Sequence, residues 1–120
     1  MHFEGEVDLR FLSDGRHAEV LQDFRFIDTD GVIFKADKGQ IVNGASIPRV
    51  FWRLIGSPFV GNYRKSAVVH DCEYKSKTKT RKQVDKGFLH SMKLEGVGRI
   101  KRKVMYRMVR LFGRRSWNVG

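Results

Sequence analysis

Apolar residues in the first third of the chain recur at every second position, which is the period of a half-buried strand. Val7, Leu9 and Phe11 share one parity. A second run through Ala18, Val20 and Leu21 follows the turn Ser13-Asp14-Gly15-Arg16, and a third through Phe24, Phe26 and Ile27 ends at Asp28-Thr29-Asp30-Gly31, where Asp-Gly supplies positive φ at low cost. Val32-Ile33-Phe34 and, after Lys38-Gly39, Ile41-Val42 complete an expected antiparallel meander of four or five short strands. Its aromatics read as core.

The period then changes from two to about 3.6. Asn43-Gly44-Ala45-Ser46-Ile47-Pro48 is a small-residue loop, and Val50-Phe51-Trp52-Arg53-Leu54-Ile55 predicts a short buried helical turn that Gly56-Ser57-Pro58 stops. A first long helix is expected from about Tyr63 to Lys75, fraying into a basic connection at Lys75–Lys79. Thr80-Arg81-Lys82-Gln83 reads as a capping box opening a second helix, with Val84, Phe88 and Met92 on one stripe, Leu89 widening it and Asp85 at its edge. Gly87 costs about 1 kcal/mol relative to Ala in a helix interior, so a close helix approach is expected to compensate. After Gly96-Val97-Gly98 a third helix runs from Arg99 to about Phe112. Its expected apolar face is Ile100, Val104, Met105, Met108, Leu111 and Phe112; Arg99, Lys101, Arg102, Lys103, Arg107 and Arg110 form a basic surface.

These elements predict an α+β fold, an N-terminal antiparallel β meander packed against a C-terminal three-helix segment. One domain spans 1–120: a β-rich platform over 1–42, the loop and short helix over 43–62, three helices over 63–113 and a basic tail over 114–120. A length of 120 residues supports one core. Charge alters the picture more than composition does: 24 Lys and Arg against 13 Asp and Glu give +11, so an anionic surface, lipid or acidic protein, is the expected partner. Nucleic acid ranks lower because no groove-reading motif is visible. Cys72 is the lone cysteine, which excludes an intrachain disulfide framework. Neither a signal peptide nor a membrane span is legible, so host cytoplasm or virion is the expected location.

The candidate chemistry lies in Ala67-Val68-Val69-His70-Asp71-Cys72-Glu73-Tyr74, where ionisable side chains interrupt an apolar helical turn. His70 and Tyr74 stack at i, i+4, and a carboxylate at Asp85 on the next helix is placed to meet the imidazole and fix its tautomer. The competing reading is a buried polar network that specifies helix packing. A Ser46-His70-Asp85 triad lacks the strand-turn-helix context of a nucleophile. Zinc through His70, Cys72 and His90 is disfavoured because two residues along a helix is about 200° around it.

Two resemblances follow. Asn43-Gly44-Ala45-Ser46-Ile47-Pro48, Trp52, Gly56-Ser57-Pro58, Tyr63-Arg64-Lys65, Val69-His70-Asp71, Tyr74, Arg81, Asp85 and Phe88 together resemble an uncharacterised family of small phage-encoded domains with an Asp-Gly-Ala-Ser-Ile-Pro signature; here the first signature position is Asn43. That resemblance implies a phage or prophage origin; with it, the competing non-catalytic reading is a virion or tail component, or a host-directed adaptor, with phage structural proteins among its partners. His70-Asp71-x-x-Tyr74 followed by Asp85-x-x-Phe88 is also similar to the paired helices of phospholipase A2. This second resemblance implies His70 as general base on water, Asp85 holding its other nitrogen, Tyr74 beside them, Asp71 as calcium ligand, and Asn43, Gly44 and Ser46 as the loop completing the site. Calcium-assisted ester hydrolysis is then the expected activity.

Overall fold

In the computed structural model, which describes residues 1–44, 47, 51–55 and 62–119, the fold is α+β, with the strands in the amino-terminal half and the long helices in the carboxy-terminal half. The strands are β1 (His2–Glu4), β2 (Leu9–Phe11), β3 (Ala18–Val20), β4 (Phe24–Ile27), β5 (Ile33–Ala36) and β6 (Ile41–Val42). They do not form one meander. They divide into two three-stranded antiparallel sheets, in the orders β1-β4-β5 and β2-β3-β6. Strand β1, which the alternation did not reveal, pairs His2 with Ile27 and Glu4 with Arg25, and β6 returns to β3 with Ala18 opposite Val42. Three residues carry too little periodicity to be read, so these pairings are decided by the shared core underneath.

The helices are α1 (Trp52–Ile55), α2 (Arg64–Ser76), α3 (Arg81–Glu95) and α4 (Arg99–Val119). The capping box is formed: the Thr80 hydroxyl accepts from the Gln83 N–H at 3.2 Å and the Gln83 carboxamide accepts from the Thr80 N–H at 2.9 Å. Gly96 ends α3 at φ 92°, a left-handed conformation that glycine adopts without a Cβ penalty. Helix α4 continues seven residues beyond Phe112 to Val119, so the expected basic tail is helical; Trp117 anchors it with its ring edge-on to Tyr74 at 5.2 Å.

Helix α2 is the centre of the molecule. All nine residues from Ser66 to Tyr74 are buried, because α2 has packing on more than one side. Val68, Val69 and Cys72 meet the sheets through Val20, Phe24, Phe26, Phe34 and Val42, while Tyr63 and Ala67 join Phe88, Met92, Met105 and Val109 from the helical layer. A helix covered all round shows a weak amphipathic pattern, and any polar residue on it must find a partner inside the protein.

Two expectations about α3 and α4 are corrected. Gly87 faces a ring from the sheet, not a neighbouring helix: a Cβ there would lie 2.6 Å from Phe34. The apolar residues of α4 divide between two surfaces. Met105, Met108 and Val109 are buried, whereas Ile100 is 80% exposed and Leu111 73%, with Val104 and Phe112 also exposed. Two long helices and two sheets already enclose the core, and α4 needs only one narrow stripe to close it. No helix among the described residues is long and apolar enough to cross a membrane.

Candidate functional site

Asp85 is the point on which the helices converge. The i, i+4 register of α2 puts His70 and Tyr74 on the side facing α3, and the stripe-edge position of Asp85 on α3 turns its carboxylate toward them. The His70 ring nitrogen Nε2 lies 2.7 Å from Asp85 Oδ1, and the Tyr74 hydroxyl donates to the same oxygen at 2.6 Å. An ionised carboxylate only accepts, so Nε2 carries the proton of this bond. Asp85 Oδ2 accepts from Arg110 of α4 at 2.7 Å, and the Arg81 guanidinium stands 3.6 Å away on α3 itself. Arg81 also donates to the backbone carbonyls of Val109 and Arg110 midway along α4, tying α3 to α4. One carboxylate thus engages three helices.

The close fit around this point is steric as well as polar. The His70 ring packs 4.2 Å from Tyr74 and 4.6 Å from Phe88, centroid to centroid. Gly113 lets the backbone of α4 approach, since a Cβ there would sit 2.6 Å from the Tyr74 hydroxyl oxygen. The site is closed to solvent: the His70 side chain is 1% exposed and that of Asp85 0%. The crevice against the ring, lined by Phe26, Phe34, Val69, Val84 and Phe88, is too narrow for a water molecule.

Burial alone would raise the Asp85 carboxyl, but the hydrogen bonds from His70, Tyr74 and Arg110 outweigh it and hold the group below the ordinary carboxylate range. Tyr74 moves the opposite way. Burial and the adjoining Asp85 carboxylate push its phenol up, so it stays a neutral donor. Burial likewise raises the Cys72 thiol, which makes it an unreactive core residue.

Asp71 serves a different junction. Its carboxylate accepts from the Asn43 backbone N–H at 3.0 Å and lies 3.6 Å from the Lys75 ammonium, which also donates to the Ile41 carbonyl. Burial raises its carboxyl, and Lys75 and the Asn43 N–H offset that only in part. Calcium needs six to eight oxygens at about 2.3–2.6 Å, and the described residues gather no such set around Asp71. Asn43 offers Asp71 a donor, not a carbonyl, and a lysine already supplies the positive charge. Among the described residues no group of three His, Cys, Asp or Glu could hold a metal ion. Gly44 is buried with φ 67° and its carbonyl accepts from the Ile47 N–H; Ser46, and with it the proposed triad, lies outside the described residues.

Two carboxylates that join distant segments, one buried and one half-buried, went unrecognised in the sequence. Glu73 is fully buried on α2, where it accepts from the Lys35 N–H of β5 at 2.9 Å and from the Lys79 ammonium at 3.1 Å. Glu95 at the end of α3 accepts from the backbone N–H groups of Lys65 and Ser66 and from the Ser66 hydroxyl, so it caps the start of α2 from a distance. Glu73 lies within the apolar run that drew attention to His70, which was a usable signal. Nothing local marks Glu95, whose partners are about thirty residues away.

The basic surface is less uniform than its spacing suggested. Arg110 turns inward to Asp85, Arg102 donates to the Val97 carbonyl, and Lys101 donates to Asn62 while standing over the Tyr63 ring. Arg99, Lys103 and Arg107 remain exposed. A buried carboxylate requires a countercharge, and Arg110 is the α4 cation in reach.

Residues 18–109 match the family described as "Protein of unknown function (DUF1353)". The chain is similar to the uncharacterised protein y4jT of Sinorhizobium fredii (strain NBRC 101917 / NGR234), 39% identical over 95 residues covering 79% of this chain and 28% of that protein. It is also similar to the uncharacterised protein y4iH of the same organism, 32% identical over 111 residues covering 92% of this chain and 46% of the relative. The chain thus spans less than half the length of either. No solved structure matches it. The match over residues 18–109 takes in α2, α3 and the His70, Tyr74, Arg81 and Asp85 side chains, and on it the chain belongs to the family described as DUF1353.

Proposed function

We propose that the chain is a non-catalytic basic domain, of the kind a phage virion or tail component or a host-directed adaptor would use, in which the His70–Asp85 cluster locks three helices together. The observation that carries this reading is the burial of the cluster: Asp85 accepts from α2 and α4 while its own side chain and that of His70 are 0% and 1% exposed. A general base must reach a water molecule, and no room for one exists against the described face of the ring. A buried carboxylate with every oxygen occupied instead gives the helices one permitted register. The phage-related role draws its support from the signature resemblance over Asn43 to Phe88.

The orientation of the ring supports a second reading, a His/Asp hydrolase of the phospholipase A2 type. An imidazole held through Nε2 by a buried carboxylate, with a tyrosine on the same oxygen, has the fixed tautomer that a water-activating base requires. One experiment separates the two. Purified wild type and His70→Asn are incubated with anionic phospholipid vesicles and calcium, released fatty acid is measured, and both proteins are melted in parallel. The locking role predicts no release above the blank from either protein and a lower melting temperature for His70→Asn. Release by wild type that His70→Asn abolishes would overturn it in favour of hydrolysis.

A further inference from the structure

Helix α4 carries a second surface that the Asp85 cluster does not use. At about 100° per residue, Ile100, Val104 and Leu111 fall within about 40° of one another, on the side opposite buried Val109. Lys103, Arg107 and Arg114 border this stripe on one side and Arg115 on the other. The helix has eight Lys and Arg between Arg99 and Val119 and no acidic residue. None of Lys103, Arg107, Arg114 and Arg115 has an acidic partner among the described residues. Near the end of α4, Leu111 and Phe112 share an open hollow with Arg114, Arg115 and Asn118, so apolar floor and guanidinium groups meet at one place.

We infer that this face of α4 docks on an anionic lipid surface, lying in the plane of the interface with Ile100, Val104 and Leu111 among the upper acyl chains and the flanking cations at the headgroups. Charge complementarity selects an anionic occupant, and the exposed aliphatic side chains select an amphiphilic one. A duplex nucleic acid would satisfy the cations and leave Ile100 and Leu111 in water, whereas a bilayer accommodates both. An acid-free helix 21 residues long spans about 31 Å along such a surface, so its cations act together. The inference goes beyond the role given to Asp85 and does not depend on it.

The test is flotation of the full chain with phosphatidylcholine vesicles containing roughly a third phosphatidylserine, against pure phosphatidylcholine vesicles, at about 0.15 M salt. Wild type is expected on the anionic vesicles only. Each of Arg107→Gln and Arg114→Gln should reduce partitioning about fivefold, and Ile100→Ser and Leu111→Ser about tenfold. All four side chains are exposed, so melting temperatures should match wild type. The inference is overturned if neither vesicle binds, if the serine variants bind as well as wild type, or if a short DNA duplex binds wild type and Leu111→Ser alike where anionic vesicles do not.

Discussion

Replacing Asp85 with Asn tests the central packing claim most directly, because the side chain keeps its shape and loses its charge. In the wild type, Oδ1 accepts from His70 and Tyr74 and Oδ2 from Arg110, with Arg81 at 3.6 Å. A carboxamide has one acceptor oxygen and must present an NH2 group to donors on its other side. Removing one member of a buried ion pair costs about 3–5 kcal/mol. The Arg110 side chain is 31% exposed and can turn to solvent, so the lower end, about 3 kcal/mol, is the appropriate expectation. A 120-residue domain is stable by roughly 6–18 kcal/mol, so this single atom exchange removes a sizeable part of the total. At about 3–5 °C per kcal/mol for this size, the melting temperature should fall by roughly 10–15 °C. Thermal and urea unfolding followed by circular dichroism measures it. Crossing the variant with Arg110→Gln should give a coupling of about 1 kcal/mol or more, because the two groups touch. A destabilisation below about 1 kcal/mol with no coupling would refute the idea that Asp85 locks the helices.

Other outcomes follow from the same contacts. The Asp85 carboxyl is held low in the folded state, so its stabilisation is complete above the unfolded carboxylate value, near 4, and lost as pH falls through the folded one; the stabilities of wild type and Asp85→Asn should therefore approach each other as pH falls from about 4 and meet only below that lowered value. The Asp71 carboxyl is shifted the other way, so wild-type stability should decline as pH rises from the ordinary carboxylate value through the raised folded one, and Asp71→Asn should lack that decline in a series of melts. Glu95→Ala releases two backbone N–H groups and the Ser66 hydroxyl at the start of α2, with an expected loss of about 1–2 kcal/mol and faster amide exchange in that turn; unchanged exchange there would remove the capping role. Gly87→Ala gains about 1 kcal/mol of helix propensity but meets the Phe34 ring at 2.6 Å, a clash of about 1–3 kcal/mol, so chemical denaturation should show net destabilisation, and a stabilised variant would mean that the ring moves freely.

Much of the framework was legible along the chain because it depends on local chemistry. Alternating residues marked β2 to β6, Thr80 and Gln83 marked the start of α3, Gly96 marked its end, and α2 was expected within one residue of Arg64–Ser76. The meeting of His70 and Tyr74 with Asp85 followed from helical spacing plus the assumption that α2 and α3 are neighbours. Arg81, four residues before Asp85 on the same helix, was open to the same reasoning.

Which segments are strand or helix, and which stripes are apolar, could be read along the chain, since periods of two and 3.6 are properties of neighbouring residues. Packing of the whole molecule settles that β1 and β4 share a sheet, that Glu95 caps α2, that Arg110 is drawn to Asp85, and that Ile100 and Leu111 face outward while Met105 and Val109 face in. A core has finite area, and burying a charge requires a partner wherever the chain can supply one. Those are conditions on the whole packed molecule, and no window of adjacent residues contains them.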